Sequence, residues 1–358
     1  MIQGRAAVTD GQGNWRIDQI QTALPSDGEV LVAIKASGVC HTDWDSRTWG
    51  RSMIMGHEGA GVVLEVGPGV ERVASGDRVL LNWAIPCETC FQCERGNKSL
   101  CEDQKAAHEG SARVGTETVS RSFNLGTMAT HSLVHERAVV TIPDQVPFPC
   151  AAIMGCGVMT GVGSVLNAAQ VEQGASVVVI GCGGVGLNVI QGARLAGAHP
   201  IIAIDIRDSR LDMARQFGAT HAVRPAPEDR DLVEAASQVA ELTGGRGADY
   251  AFEATGIPSL GAAPLRMVRN AGMAIQVSGI EEDLTIDMNL FEWDKLYLNP
   301  LYGKCDPARD FPLLIDAYTD GSLLLDEMIS RTYALDDLGD AFDDMLNGRI
   351  AKGVLILS

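Results

Sequence analysis

The apolar positions of this chain follow two different patterns. Up to about residue 150, short apolar runs are broken by Gly, Pro and Asp: EVLVAIKASGV at 29–39, EGAGVVLEVGPGV at 58–70 and GDRVLLNWAIP at 76–86. Runs of that length, bounded by turn formers, predict the strands of an irregular β domain. From about 158 the pattern becomes strand, glycine turn, helix, strand. SVVVI at 176–180 is continuously apolar, as a strand covered on both faces must be. LNVIQGARLAG at 187–197 has helical spacing and stops at Gly197, and PIIAIDI at 200–206 is the next strand. ADYAFEAT at 248–255 and GMAIQVSGI at 272–280 continue the alternation, which predicts an α/β unit with a doubly wound parallel sheet. Beyond about 302, DFPLLIDAYTDG and DLGDAFDDMLNG predict two helices, and GVLIL at 353–357 a closing strand.

Length and charge narrow the setting. A chain of 358 residues exceeds a comfortable single core, so two domains are expected. Its formal charge of −18, with no cluster of Lys and Arg, argues against a nucleic-acid partner and leaves small molecules. The N-terminal MIQGRAAVTDGQGNW has no hydrophobic signal segment, and no run of about 18 apolar residues stands out as a membrane span. The expectation is a cytoplasmic protein with reduced thiols and no membrane partner.

Against that background the stretch PCETCFQCERGNKSLC needs a reason. It places Cys87, Cys90, Cys93 and Cys101 in the spacing C-x2-C-x2-C-x7-C. Four thiolates so close can surround one tetrahedral ion, whereas neighbouring C-x2-C pairs are poorly placed for unstrained disulfides. A second feature follows the strand SVVVI: GCGGVG gives G-x-G-x-x-G with Gly181, Gly183 and Gly186, enclosing Gly184 and Val185. The glycines allow a tight turn, close approach to a pyrophosphate and close packing of helix on sheet. Asp205 ends the next strand 19 residues after Gly186, where an acid binds a ribose 2′-hydroxyl and repels a 2′-phosphate; the expected cofactor is NAD. Arg207 and Arg210 lie nearby as opposing charge. A third feature joins GVCHTD, with Cys40, His41, Thr42 and Asp43, to MGHEGAG, with His57 and Glu58. Cys and His suit zinc, and a catalytic site keeps three protein ligands and one open position. Local spacing leaves the third ligand open among Cys150, Cys156, Cys182 and Cys305, although Cys182 lies inside the glycine turn. His108, His131, His135, His199 and His221 show no ligand pairing and are expected to be surface or structural residues.

The ordered set GVCHTD, GHEGAGVV, PCETCFQCERG with Cys101, GCGVMTG and GCGGVG resembles the zinc-dependent alcohol dehydrogenases of the medium-chain dehydrogenase/reductase superfamily, over essentially the whole chain. The resemblance implies a GroES-like catalytic domain from 1–157 and 302–358 and a Rossmann domain from 158–301. It implies that Cys40, His57 and Cys156 bind a catalytic zinc, with Asp43 and Glu58 beside them, and that the four-cysteine lobe holds a structural zinc. By position it assigns Thr42 to the substrate oxygen, His41 and Lys352 to the cofactor pyrophosphate, Thr160 to the nicotinamide, Arg210 to the cofactor, and Trp83, Leu100 and Ile280 to the substrate pocket.

The chain also departs from that pattern. Asp45 stands five residues after Cys40, where a proton-relaying histidine is often found, and the segment between Cys40 and His57 is short. Within the family the motifs resemble the class III-like bacterial branch, where Lys105 falls at the place of a basic residue that binds a thiol adduct's carboxylate. The expected function is reversible, zinc- and NAD-dependent oxidation of a primary or aromatic alcohol to its aldehyde by a homodimer or homotetramer. One alternative is a thiol-adduct-dependent formaldehyde dehydrogenase; another is a non-catalytic zinc- and nucleotide-binding protein.

Overall fold

The run at 29–39 becomes the strand Glu29–Val39, the longest in the chain, and its length lets it join distant parts of the sequence. The computed structural model describes residues 1–357. Glu29–Ala33 pairs antiparallel with His131–His135, and Ala36–Val39 with the C-terminal strand Lys352–Ile356. On its other edge it pairs with Gly59–Val66, which continues to Arg78–Leu81 and Val139–Thr141. A second sheet of six short strands is built round the pair Ile2–Thr9 and Trp15–Thr22. Both ends of the chain therefore belong to one unit, Met1–Cys156 with Asp306–Ser358.

The other unit is Gly157–Cys305. Its sheet has six strands in the order His221–Val223, Ile201–Ile204, Val177–Ile180, Ala248–Glu253, Val268–Gln276, Leu296–Leu298, and every pairing is parallel. Val177–Ile180 is buried along its whole length, as its unbroken apolar run requires. The strand order reverses beside it, so a crevice opens where the carboxyl ends of Val177–Ile180 and Ala248–Glu253 diverge.

Three expectations need adjustment. The junctions fall at 156/157 and 305/306 rather than 157/158 and 301/302. Residues up to Cys305 stay with the second unit because Gly303, at φ +59, lies against the backbone of Gly163; a Cβ there would come within 2.7 Å of it. The 22-residue Phe148–Ala169 is apolar enough, at mean hydropathy 1.6 over its most apolar 18-residue window, to match a membrane span, but 72% of that window is buried within the fold, as in a core helix. Finally, Ile329–Ala334 forms the seventh strand of the first sheet, beside Lys352–Ile356; its exposed Ser, Arg and Thr give it no apolar run to read.

Candidate active site

Cys40 follows directly on Glu29–Val39 and caps the short helix His41–Asp45. The carboxylate of Asp43 accepts the Cys40 backbone N–H at 3.0 Å through one oxygen and the Nδ1–H of His57 at 2.8 Å through the other. Asp43 and His57 are both buried. This carboxylate fixes the ring so that Nε2 faces inward, the arrangement that metal-binding histidines adopt. His57 is delivered by a turn at Gly56, where φ is +93 and a Cβ would lie 2.4 Å from the Met128 nitrogen; no other residue fits. Cys156 arrives on a π-helical turn, Met154–Val158, whose Gly155 packs onto the Leu81 carbonyl with room for no side chain. His57 Nε2 and Cys156 Sγ are 3.2 Å apart.

Donor atoms of Cys40, His57, Glu58 and Cys156 all lie within 4.8 Å of one another. A hydrogen bond from Cys156 holds the Cys40 thiol well below the ordinary thiol range, helped by His57. The same contact, with burial, pushes Cys156 up. Burial works against a charged His57, but Asp43 and Cys40 outweigh it and raise its pKa. Glu58 is pushed up to about 7 by burial, with Lys352 pulling the other way. Among the described residues, the buried Glu58 Oε2 has no hydrogen-bond partner. Gly38 makes room for this carboxylate, since a Cβ there would fall 1.9 Å from Oε2. Two thiols, one imidazole and an under-satisfied carboxylate, buried together, form a donor set that fits a zinc ion with a position left open.

Aromatic rings stand beside this cluster. The ring of Phe123 lies 4.9 Å from that of His57, 5.2 Å from Trp83 and 5.9 Å from Trp49. Phe123 has φ +50, a left-handed conformation that is an outlier for a bulky residue and is kept only where the surroundings enforce it. Thr42 is half-buried in the first turn of His41–Asp45, and its hydroxyl has no partner among the described residues. His41 and Asp45 are exposed on the same helix.

The four-cysteine lobe is equally well formed. The Sγ atoms of Cys87, Cys90, Cys93 and Cys101 lie within 4.8 Å of one another. The backbone N–H of Cys87 donates to Cys101 Sγ and that of Cys90 to Cys87 Sγ, both at 3.2 Å. Hydrogen bonding from the Thr89 backbone lowers the Cys87 thiol to about 6, whereas burial pushes Cys93 up to about 12. None of the nine cysteines forms a disulfide.

In the second unit the helix Gly184–Leu195 starts at Gly183. Gly181 has φ +88, and a Cβ on Gly186 would lie 1.8 Å from the Gly181 carbonyl oxygen, so both positions demand glycine. Asp205 stands just past Ile201–Ile204 and accepts backbone N–H groups from Cys182 at 2.9 Å and Arg207 at 3.0 Å; Arg210 lies 3.8 Å away. Thr160 is half-buried in the helix Met159–Gly163.

Lys352 is buried, and its ammonium donates to Glu58 at 2.6 Å. There it balances the charge of Glu58 within this unit. Leu100 is 46% exposed on the turn Lys98–Leu100 of the cysteine lobe. Ile280 lies against Gly261 within its own unit. Lys105 pairs with Asp103 at 2.7 Å on the surface. His108, His131, His135 and His221 hydrogen-bond locally. Phe123 and Trp49 were missed, since an aromatic residue in an irregular loop carries no periodic signal.

Fold and site together define a two-domain, zinc-binding oxidoreductase. Residues 26–144 match the alcohol dehydrogenase GroES-like domain and residues 184–302 the zinc-binding dehydrogenase domain. The chain is 34% identical to the S-(hydroxymethyl)glutathione dehydrogenase of Paracoccus denitrificans, with 99% of this chain and 100% of that protein covered. It is 33% identical to the NDMA-dependent alcohol dehydrogenase of Amycolatopsis methanolica, with full coverage of both. The crystal structure of benzyl alcohol dehydrogenase from Acinetobacter calcoaceticus superposes with a TM-score of 0.90 at 29% identity, covering 100% of each chain. The chain belongs to the zinc-binding alcohol dehydrogenase family and is a zinc-dependent oxidoreductase that interconverts an alcohol and its aldehyde.

Proposed function

We propose that this protein oxidises primary alcohols, aromatic ones among them, using NAD, with Cys40, His57 and Cys156 holding the catalytic zinc. The observation that carries this reading is the convergence of those three donors, with the half-buried Thr42 two residues after Cys40 in the helix that Cys40 caps. Zinc held there would supply a Lewis acid for the alcohol oxygen, and NAD would accept the hydride. Asp43 keeps His57 in one tautomer. Lys352 offsets the negative charge of Glu58 and favours the Cys40 thiolate. Thr42 Oγ1 takes up the alcohol proton, and Trp83 and Phe123 orient the carbon skeleton. The test is NAD reduction over a panel of aliphatic and aromatic alcohols, with and without added thiol. Activity confined to formaldehyde plus thiol would favour the thiol-adduct reading, which the surface pairing of Lys105 does not support.

Two expected results refine this. Asp205 should repel a 2′-phosphate, so kcat/KM should be higher with NAD than with NADP. Asp205→Ala should narrow that ratio about 10-fold; a wild type that prefers NADP would overturn the assignment. Phe123→Leu should lower the ratio of kcat/KM for benzyl alcohol over 1-hexanol about 5-fold, because the flat ring surface is lost while apolar character remains. An unchanged ratio would remove Phe123 from the pocket.

Assembly and location belong to the same reading. Leu296–Leu298 is an edge strand, flanked by Trp293 at 70% and Met288 at 72% exposure, a surface suited to a second copy in a homodimer or homotetramer. Nine cysteines without a disulfide suit the reducing cytoplasm.

A further inference from the structure

The crevice at the strand-order reversal contains a buried carboxylate for which the reaction has no direct use. Glu253 ends the strand Ala248–Glu253, beside Ile180, and has no exposed surface. One carboxylate oxygen accepts the backbone N–H of Thr255 at 2.6 Å, that of Gly256 at 3.1 Å and the Thr255 hydroxyl; the other accepts the Ser278 hydroxyl. The two backbone N–H groups can only donate, and the Thr255 hydroxyl, which already accepts the Ile257 N–H at 3.0 Å, is left to donate, so the oxygen they share must be an acceptor. A buried carboxylate is costly unless it is satisfied in this way. These contacts fold residues 254–256 into a tight loop, with Gly256 at φ +71.

That loop supports the glycine turn. The Ala254 N–H donates to the Ile180 carbonyl at 2.8 Å, immediately before Gly181. A Cβ on Gly181 would lie 2.7 Å from Thr255 Cγ2 and 3.1 Å from the Ala254 backbone, and one on Gly186 would lie 3.4 Å from Ala254 Cβ. The Gly181 face therefore rests directly on the loop that Glu253 clamps. Residues 254–256 are only half-buried and follow the carboxyl end of Ala248–Glu253.

We infer that Glu253 is a positioning residue for the dinucleotide: through Thr255 and Ala254 it holds the glycine turn in the shape that receives the pyrophosphate. This rests on the reading of Gly181–Gly186 as the dinucleotide site. Glu253→Gln keeps the size but removes the charge and one of the two acceptor oxygens: its carbonyl oxygen can still serve Thr255 and Gly256, while its amide faces Ser278, whose hydroxyl must turn to accept, so the loop is held more weakly.

The experiment is fluorescence titration of NADH into purified protein, alongside zinc content and a thermal melt for each variant. Glu253→Gln should raise the NADH dissociation constant about 10-fold or more while keeping wild-type zinc content and a cooperative melt. A purely structural carboxylate would lower the melting temperature and leave NADH binding by the folded protein unchanged, and that result overturns the inference. Should Glu253→Gln fail to fold, the double variant Thr255→Val, Ser278→Ala removes two donors and leaves the carboxylate in place. It should weaken NADH binding about 3-fold or more, and wild-type binding by it would overturn the inference equally. A wild type that binds neither NADH nor NADPH would overturn the dinucleotide reading itself, and this inference with it.

Discussion

Thr42→Val is expected to lower kcat/KM for alcohol oxidation about 100-fold or more, with zinc content unchanged. Oxidation releases a proton from the alcohol oxygen, and a bound cofactor shields that oxygen from bulk water. A hydroxyl that both donates and accepts is needed as the first relay. Thr42 lies two residues after Cys40 in the same short helix, and its hydroxyl is not already engaged by another protein group among the described residues. Valine keeps the branched shape and removes both hydrogen-bonding functions, so loss of activity would not reflect a repacked helix. Thr42→Ser should retain most of the activity. Asp45 is exposed, so Asp45→Asn should lower turnover only modestly. Steady-state kinetics with metal analysis check all three variants; a Val variant with wild-type turnover would mean that the proton leaves by another route.

What the sequence reveals depends on how local the determinant is. The four-cysteine lobe spans 15 positions, and its spacing alone indicates a shared ion. The glycine turn is equally local, because Gly181 and Gly186 are required by the conformation and packing of a single strand-turn-helix unit. The catalytic cluster is different. His57 and Cys156 are 99 residues apart, and Lys352 and Glu58 are 294 apart. Their meeting depends on the pairing of Glu29–Val39 with the C-terminal strand and on the helix approach allowed by Gly155. No spacing rule contains that information, which is why local pattern leaves the third ligand open and gives no sign of the pairing of Lys352 with Glu58. Phe123 owes its place to a left-handed turn, which breaks any periodicity from which it could have been read.

The same contrast sets the expected response to losing each metal. Purified protein should carry two zinc ions per chain, one for each cluster of converging donors. Cys90→Ser should lose one of them and lower the melting temperature by about 10 °C or more. The lobe has almost nothing else to hold it: between the ligands, Phe91 is 54% and Leu100 46% exposed, so the metal serves as its core. Without the ion the remaining thiols keep only the backbone N–H contacts that hold Cys87 low, while Cys93 must be buried as a neutral thiol. His57→Ala should also reduce the zinc content to one, yet with a smaller loss of stability and with abolished turnover. Its surroundings are the buried strands Met53–Ile54 and Gly59–Val66, which pack through their own apolar side chains. Metal analysis and thermal melts of the two variants together decide the assignment. A wild type with one zinc or none, or a Cys90→Ser variant that keeps both ions and the wild-type melting temperature, would show that the cysteine lobe is not a metal-built structure.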